Sequence, residues 1–121
     1  MIELLADLPD NVVGFTATGE VTAADYTTVL DPAIKAALTA NERIRVLYVL
    51  GPEFTGYTGA AMWEDAAVGT EHFSRWERIA VVTDTEWVRH TVNAFAWMMP
   101  ARVRVYSDAD RTDAVQWICA P

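Results

Sequence analysis

The chain has one cysteine, Cys119, one lysine, Lys35, and two histidines, His72 and His90. A single thiol forms no internal disulfide, and no Cys/His cluster is spaced for zinc. No apolar run approaches the ~18 residues of a membrane-spanning helix. The opening MIELLADLPD has no basic segment ahead of an apolar one, so no signal peptide is expected. Positive charge is scarce as well. Nine Lys and Arg face 17 Asp and Glu, for a net charge of −8. Such a surface repels phosphate backbones and anionic headgroups, which argues against nucleic acid as a partner. These absences point to a reducing, cytoplasmic setting, with no transmembrane segment, no metal and no cofactor.

What is present is apolar. Hydrophobic residues make up 52% of 121 positions and charged residues 21%. That fits one folded domain spanning residues 1–121, long enough to bury a core. The chain is organised around residues 44–67. Val46-Leu47-Tyr48-Val49-Leu50 is a short continuous apolar run without alternation, the mark of a strand covered on both faces. Gly51-Pro52 should stop it, since proline donates nothing to a sheet ladder. A loop, Glu53 to Tyr57, follows, and Thr58 is placed to cap a helix. On that helix Met62, Ala66, Gly69 and Phe73 fall on one face.

Residues before and after this stretch repeat a strand-helix rhythm. Met1 to Ala6 and Val12 to Thr18 read as two strands joined by a turn at Leu8-Pro9-Asp10-Asn11, with the first antiparallel to the second. Thr22-Ala23-Ala24-Asp25 has the form of a capping box. Pro32 sits inside the helical pattern that follows and predicts a kink or two short helices. Arg78 to Thr83 is a further strand, and Asp84 or Thr85 caps a helix on which Trp87, Val88, Thr91, Val92, Phe95, Met98 and Met99 form one arc. Trp87 and Trp117 read as core. Arg102 to Tyr106 is the last strand, before a short closing helix. The order is β-β-α-β-α-β-α-β-α, an α/β fold with a mixed five-stranded sheet and packed helices.

Several stretches together resemble a known family. Leu8-Pro9-Asp10, Gly14-Phe15, Val21-Thr22-Ala23, Asp25-Tyr26, Ile44 to Pro52, Met62 to Ala66, Glu77 to Asp84 and Trp87-Val88-Arg89-His90 look like the SpoIIAA-like proteins, also described as STAS/SEC14 domain-containing proteins. The resemblance covers nearly the whole chain. It implies a STAS-like fold similar to anti-sigma-factor antagonists and implies no activity. In those antagonists a phosphorylatable serine opens the helix after the central strand. Thr58-Gly59 occupies that place here, although Gly56-Tyr57 stand where the antagonists have an aspartate and a second serine.

No catalytic constellation emerges. Glu64 and Asp65 diverge by about 100° on a helix and do not form an acid/base pair. Asp65 with His72, or Asp84 with His90, would make a dyad lacking a nucleophile. The aromatics say more. Phe54, Tyr57, Thr58 and Trp63 are candidates for a ligand site near the central loop. Trp97 projects with His90 and Asn93 away from the apolar arc of its helix, which marks an interface. The reading is a non-enzymatic regulatory domain that binds protein partners, including a second copy as a homodimer. The alternatives are a carrier or sensor of a small apolar, lipid-like ligand and an enzyme of unknown type.

Overall fold

A computed structural model describes residues 1–71 and 73–121. His72 lies outside the described residues, and so does the Asp65–His72 pairing. Five strands, β1 (Ile2–Leu4), β2 (Val12–Val21), β3 (Ile44–Tyr57), β4 (Trp76–Thr83) and β5 (Arg102–Tyr106), form one sheet in the order β1-β2-β3-β4-β5. β1 runs antiparallel to β2, and every other neighbouring pair is parallel.

That topology decides where the helices go. Parallel neighbours need a crossover, and crossovers are right-handed, so successive ones stack on the same face. Helices α1 (Ala23–Asp25), α2 (Asp31–Ala40), α3 (Gly59–Glu71) and α4 (Glu86–Ala96) make these connections. α5 (Arg111–Cys119) follows the last strand and covers the other face. β3 serves both sides. Ile44, Val46, Tyr48 and Leu50 enter a core with Phe15, Tyr26, Ile34, Ala61 and Val88. Leu47 and Val49 enter a second core with Val12, Val82, Ala114 and Ile118. Their exposures of 1% and 3% fit a strand covered on both faces.

Four local features depart from the sequence reading. β3 does not stop at Gly51-Pro52. It runs on to Tyr57 because the end of β2 continues beside it, pairing Gly19 with Phe54 and Val21 with Tyr57. β4 partners β3 only as far as Leu50, so Pro52 stands on an open edge where its missing N–H breaks no ladder. The β2–β3 register slips around Gly19, whose φ of 61° is a conformation that favours glycine. Secondly, the interruption expected at Pro32 falls ahead of it, as a change of helix type. A π-helical turn at Tyr26–Leu30 joins α1 to α2, and the Asp31 N–H reaches back to the Tyr26 carbonyl. This widening takes up the strain of a proline one residue into α2.

The third departure is the rotation of α3. Met62 and Ala66 were expected inside, yet Met62 is 52% exposed and Ala61 and Val68 are the buried positions. α3 rests against α1 and the π-turn rather than flat on the sheet, and a polar tie from Asp65 to Tyr26 sets its rotation. The side chains of Gly69 and Phe73 lie outside the described set. Fourthly, α4 buries little of its expected arc. Val88 is buried, and Val92 and Met99 are partly buried against the same core. Trp87, Phe95 and Met98 are exposed. The neighbouring edge strand β5 is five residues long and turns only Val103 and Val105 to the face of α4, so it offers α4 a narrow apolar seat. Trp117 is half-buried, under the guanidinium groups of Arg78 and Arg104.

Removing the apolar bulk at the middle of β3 is the plain test of this architecture. Leu47→Ala should cost about 2–4 kcal/mol in urea unfolding. A loss below about 0.5 kcal/mol, the scatter of surface substitutions, would show that β3 is not the spine of the fold.

Candidate functional site

The carboxyl end of a parallel strand, where it enters a helix, is the usual ligand end of an open α/β sheet. Here that place is the end of β3. The Thr58 N–H bonds the Val21 carbonyl at 2.9 Å, and the Thr58 Oγ1 accepts the Ala61 N–H at 3.1 Å. Thr58 is thus the N-cap of α3, as its position in the sequence suggests. Phe54 and Tyr57 meet edge-on, with ring centres 5.2 Å apart. A third ring joins them: Trp87, from the start of α4, lies 6.3 Å from Phe54 and 5.9 Å from Tyr57. Trp63, the fourth aromatic expected at this site, is 79% exposed.

Below these rings lies a polar cluster. Tyr26 is fully buried, and its hydroxyl donates to Asp65 Oδ1 at 2.6 Å. With its one proton committed there, Tyr26 accepts from the Tyr48 hydroxyl, 3.4 Å away. The Tyr57 phenol joins the same cluster. Burial, followed by the nearby Asp65 charge, pushes the Tyr26 phenol far above its ordinary value. Burial also moves Tyr48 up to about 12, and burial and Tyr48 raise Tyr57. All three phenols are therefore neutral donors near pH 7. Asp65 as a residue is exposed, but its carboxyl turns back against the buried phenol. Desolvation there raises its pKa, and the Tyr26 hydrogen bond offsets part of the rise. Solvent on the open flank of the side chain tempers the effect.

The outer surfaces of α3 and α4 form the other feature of the site. Met62 and Trp63 on α3 are 52% and 79% exposed. Trp87, Phe95, Met98 and Trp97, on α4 and the turn that ends it, are 43%, 55%, 45% and 80% exposed. At about 100° per residue, Trp87, Met98 and Phe95 make one stripe, and His90 and Trp97 flank it. His90, Asn93 and Trp97 are all exposed. Asp84 accepts the Asp108 N–H at 3.1 Å, and Thr85 begins α4 without a side-chain cap bond.

The sequence picked out Phe54, Tyr57, Thr58, Trp63, His90, Asn93 and Trp97. Phe54, Tyr57 and Thr58 come together, and His90, Asn93 and Trp97 share a helix face. It missed the Tyr26–Tyr48–Asp65 network and assigned Trp87 to the core. A tyrosine on an apolar helix face reads as plain core, and only the tertiary approach of β3, α3 and the π-turn shows that its hydroxyl has a partner. No group of three His, Cys, Asp or Glu among the described residues is placed to hold a metal. No helix among them is long and apolar enough to cross a membrane.

A family model described as SpoIIAA-like matches residues 12–119. The crystal structure of an uncharacterised protein from the DUF3478 family, with a SpoIIAA-like fold, from Shewanella loihica PV-4, is similar over 98% of this chain and 93% of that one, with a TM-score of 0.78 and 25% identity. No curated protein matches the chain.

The Asp65 carboxyl makes a pH signature. Its pKa is raised above 3.8 on folding, so ionising it costs more in the folded chain than in the unfolded one. That cost is absent below the unfolded value, grows from there up to the raised folded value and is constant above it. Asp65→Asn carries no such cost. Denaturant unfolding should therefore show the variant gaining on wild type as pH rises above the unfolded value of about 4. A stability difference that stays flat over this range would mean that Asp65 ionises as freely as in water.

Proposed function

The chain belongs to the SpoIIAA-like family, and we propose that it works as a non-enzymatic binding and regulatory domain whose contacts, including those with a second copy of itself, are made by the apolar surface of α3 and α4. The observation that carries this reading is the exposure of Trp63 on α3 and Trp97 at the end of α4, at 79% and 80%, on helices that also expose Met62, Trp87, Phe95 and Met98. An aromatic side chain contributes roughly 150–250 Å² when covered. Summed over both helices these residues expose on the order of several hundred Å², against the ~800 Å² that one partner brings to a standard interface. A monomer gains nothing by holding so much apolar surface in water. His90 and Asn93 supply polar groups at the rim, and tryptophan at the centre of an interface is often a hot spot.

Thr58 offers a place for regulation in this reading. A phosphoryl group on it would sit at the N-terminus of α3, where the helix dipole favours negative charge. It would also cost the hydroxyl its present cap geometry, so modification would loosen the entry to α3. A second reading, a carrier of a small apolar ligand, draws support from the Phe54–Tyr57–Trp87 ring cluster, whose outer member is 43% exposed. Mass spectrometry of the natively purified protein separates the two: a stoichiometric co-purifying apolar molecule favours the carrier, and its absence from a self-associating protein favours the interface.

Sedimentation of wild type against Trp97→Ala tests the interface. Trp97 lies on the surface, so the variant should fold normally and associate at least tenfold more weakly, as loss of a hot spot worth about 2 kcal/mol implies. A wild type that stays monomeric at high micromolar concentration, or a variant that associates equally well, would remove self-association from the proposal.

A further inference from the structure

We infer that the amino ends of β3, β4 and β5 form a binding cleft for a small organic anion, a phosphate monoester carrying an apolar body. In a chain of net charge −8, Arg45, Arg78 and Arg102 stand in register on three adjacent strands. Register partners in parallel strands project to the same face, and neighbouring strands are about 4.8 Å apart. Like charges so placed repel unless something offsets them. Two of the three are offset within the chain. Arg45 Nε bonds Glu77 Oε1 at 2.5 Å, and its Nη1 donates to the carbonyls of Ile118 and Ala120. Arg78 donates to the carbonyls of Trp117, Ala120 and Pro121. These two arginines are committed to the end of α5, where carbonyls and the negative helix terminus welcome them.

Arg102 is not committed. It is exposed and, among the described residues, makes no hydrogen bond or ion pair. The same holds for Arg43, the first arginine before β3. Arg43, Arg45, Arg78 and Arg102 line one cleft of about 480 Å³ with a single carboxylate, Glu77, already paired to Arg45. Met99, Pro100 and Ala101 complete the wall. Guanidinium forks match phosphate and carboxylate oxygens in pairs, and the Met99–Pro100 wall suits an apolar substituent beside the anion. The adjoining cleft, of about 600 Å³, sets the size limit. It shares Arg43 and Glu77 but adds Asp10 and Glu42, so a long polyanion crossing both would meet carboxylates. A compact single-headed anion would not.

The probe is phenyl phosphate, titrated into the full chain by calorimetry, with inorganic phosphate and benzoate as comparisons. Arg102 and Arg43 serve as test positions because neither supports the fold. Saturable binding of phenyl phosphate, tighter than either comparison and weakened about tenfold or more by Arg102→Ala or Arg43→Ala at an unchanged thermal midpoint, is the expected result. Binding should also weaken as salt rises. Absence of saturable phenyl phosphate binding, or binding that both substitutions leave intact, would overturn the inference. Trp97→Ala should bind phenyl phosphate as wild type does, which keeps this test separate from that of the apolar surface.

Discussion

Burial of β3 on both faces is the constraint from which the rest follows. A strand with Leu47 and Val49 on one side and Val46, Tyr48 and Leu50 on the other needs two covering layers. Parallel pairing on both edges fixes the first, because right-handed crossovers bring α1, α2, α3 and α4 to one face. The second depends on α5 alone, supported by Leu5 and Leu8 from the β1–β2 connection. One short helix is a thin cover for half a core. The arginines at the start of β3 and β4 reinforce it by gripping the carbonyls at its end. Arg75 does similar work across the sheet, donating to the carbonyls of Leu38 and Asn41 at the end of α2. Three of the nine cations, Arg45, Arg75 and Arg78, are thus spent on helix ends, whereas Arg43 and Arg102 beside them have no such partner among the described residues.

The helical face is less tightly closed. α3 buries small residues, Ala61 and Val68, and holds its place partly through the Asp65–Tyr26 hydrogen bond. α4 buries Val88. Both helices therefore leave large apolar side chains outside, and their exposed surfaces flank the carboxyl end of β3. A fold that satisfies its own core with small residues keeps its large ones for contact. The phenol cluster beneath adds specificity to this arrangement, since buried hydroxyls that must find partners allow only one rotation of α3.

The fold was legible where burial is periodic. The run Val46 to Leu50 announced a two-sided strand, Thr22 and Asp25 formed the capping box they spell, with the Thr22 N–H on Asp25 Oδ2 at 2.8 Å, and Thr58 caps α3. Legibility failed where a neighbour decides. Pro52 reads as a terminator, but an edge position makes it harmless. Pro32 reads as the point of a kink or a split, but the change of helix type, a π-turn, falls ahead of it. Trp87 falls on an apolar arc, but the narrow seat offered by β5 leaves it half outside, against Tyr57. At the candidate site, helix geometry turned Trp97 away from the buried stripe, and it is exposed because no neighbouring element among the described residues folds over it. The Tyr26–Tyr48–Asp65 cluster did not, because its members are 22 and 39 residues apart from Tyr26 and no local pattern links them.

The central claim, that the outer surface of α3 and α4 is built for contact, is most directly tested by tryptophan fluorescence over a dilution series. Trp63 and Trp97 are the most exposed of the large apolar side chains and dominate any solvent-dependent shift. If they are covered on association, emission should move to shorter wavelength and iodide quenching should fall as concentration rises, and Trp97→Ala should remove much of the change. Emission and quenching that stay constant from nanomolar to high micromolar concentration would contradict the account, leaving both indoles in water at every concentration.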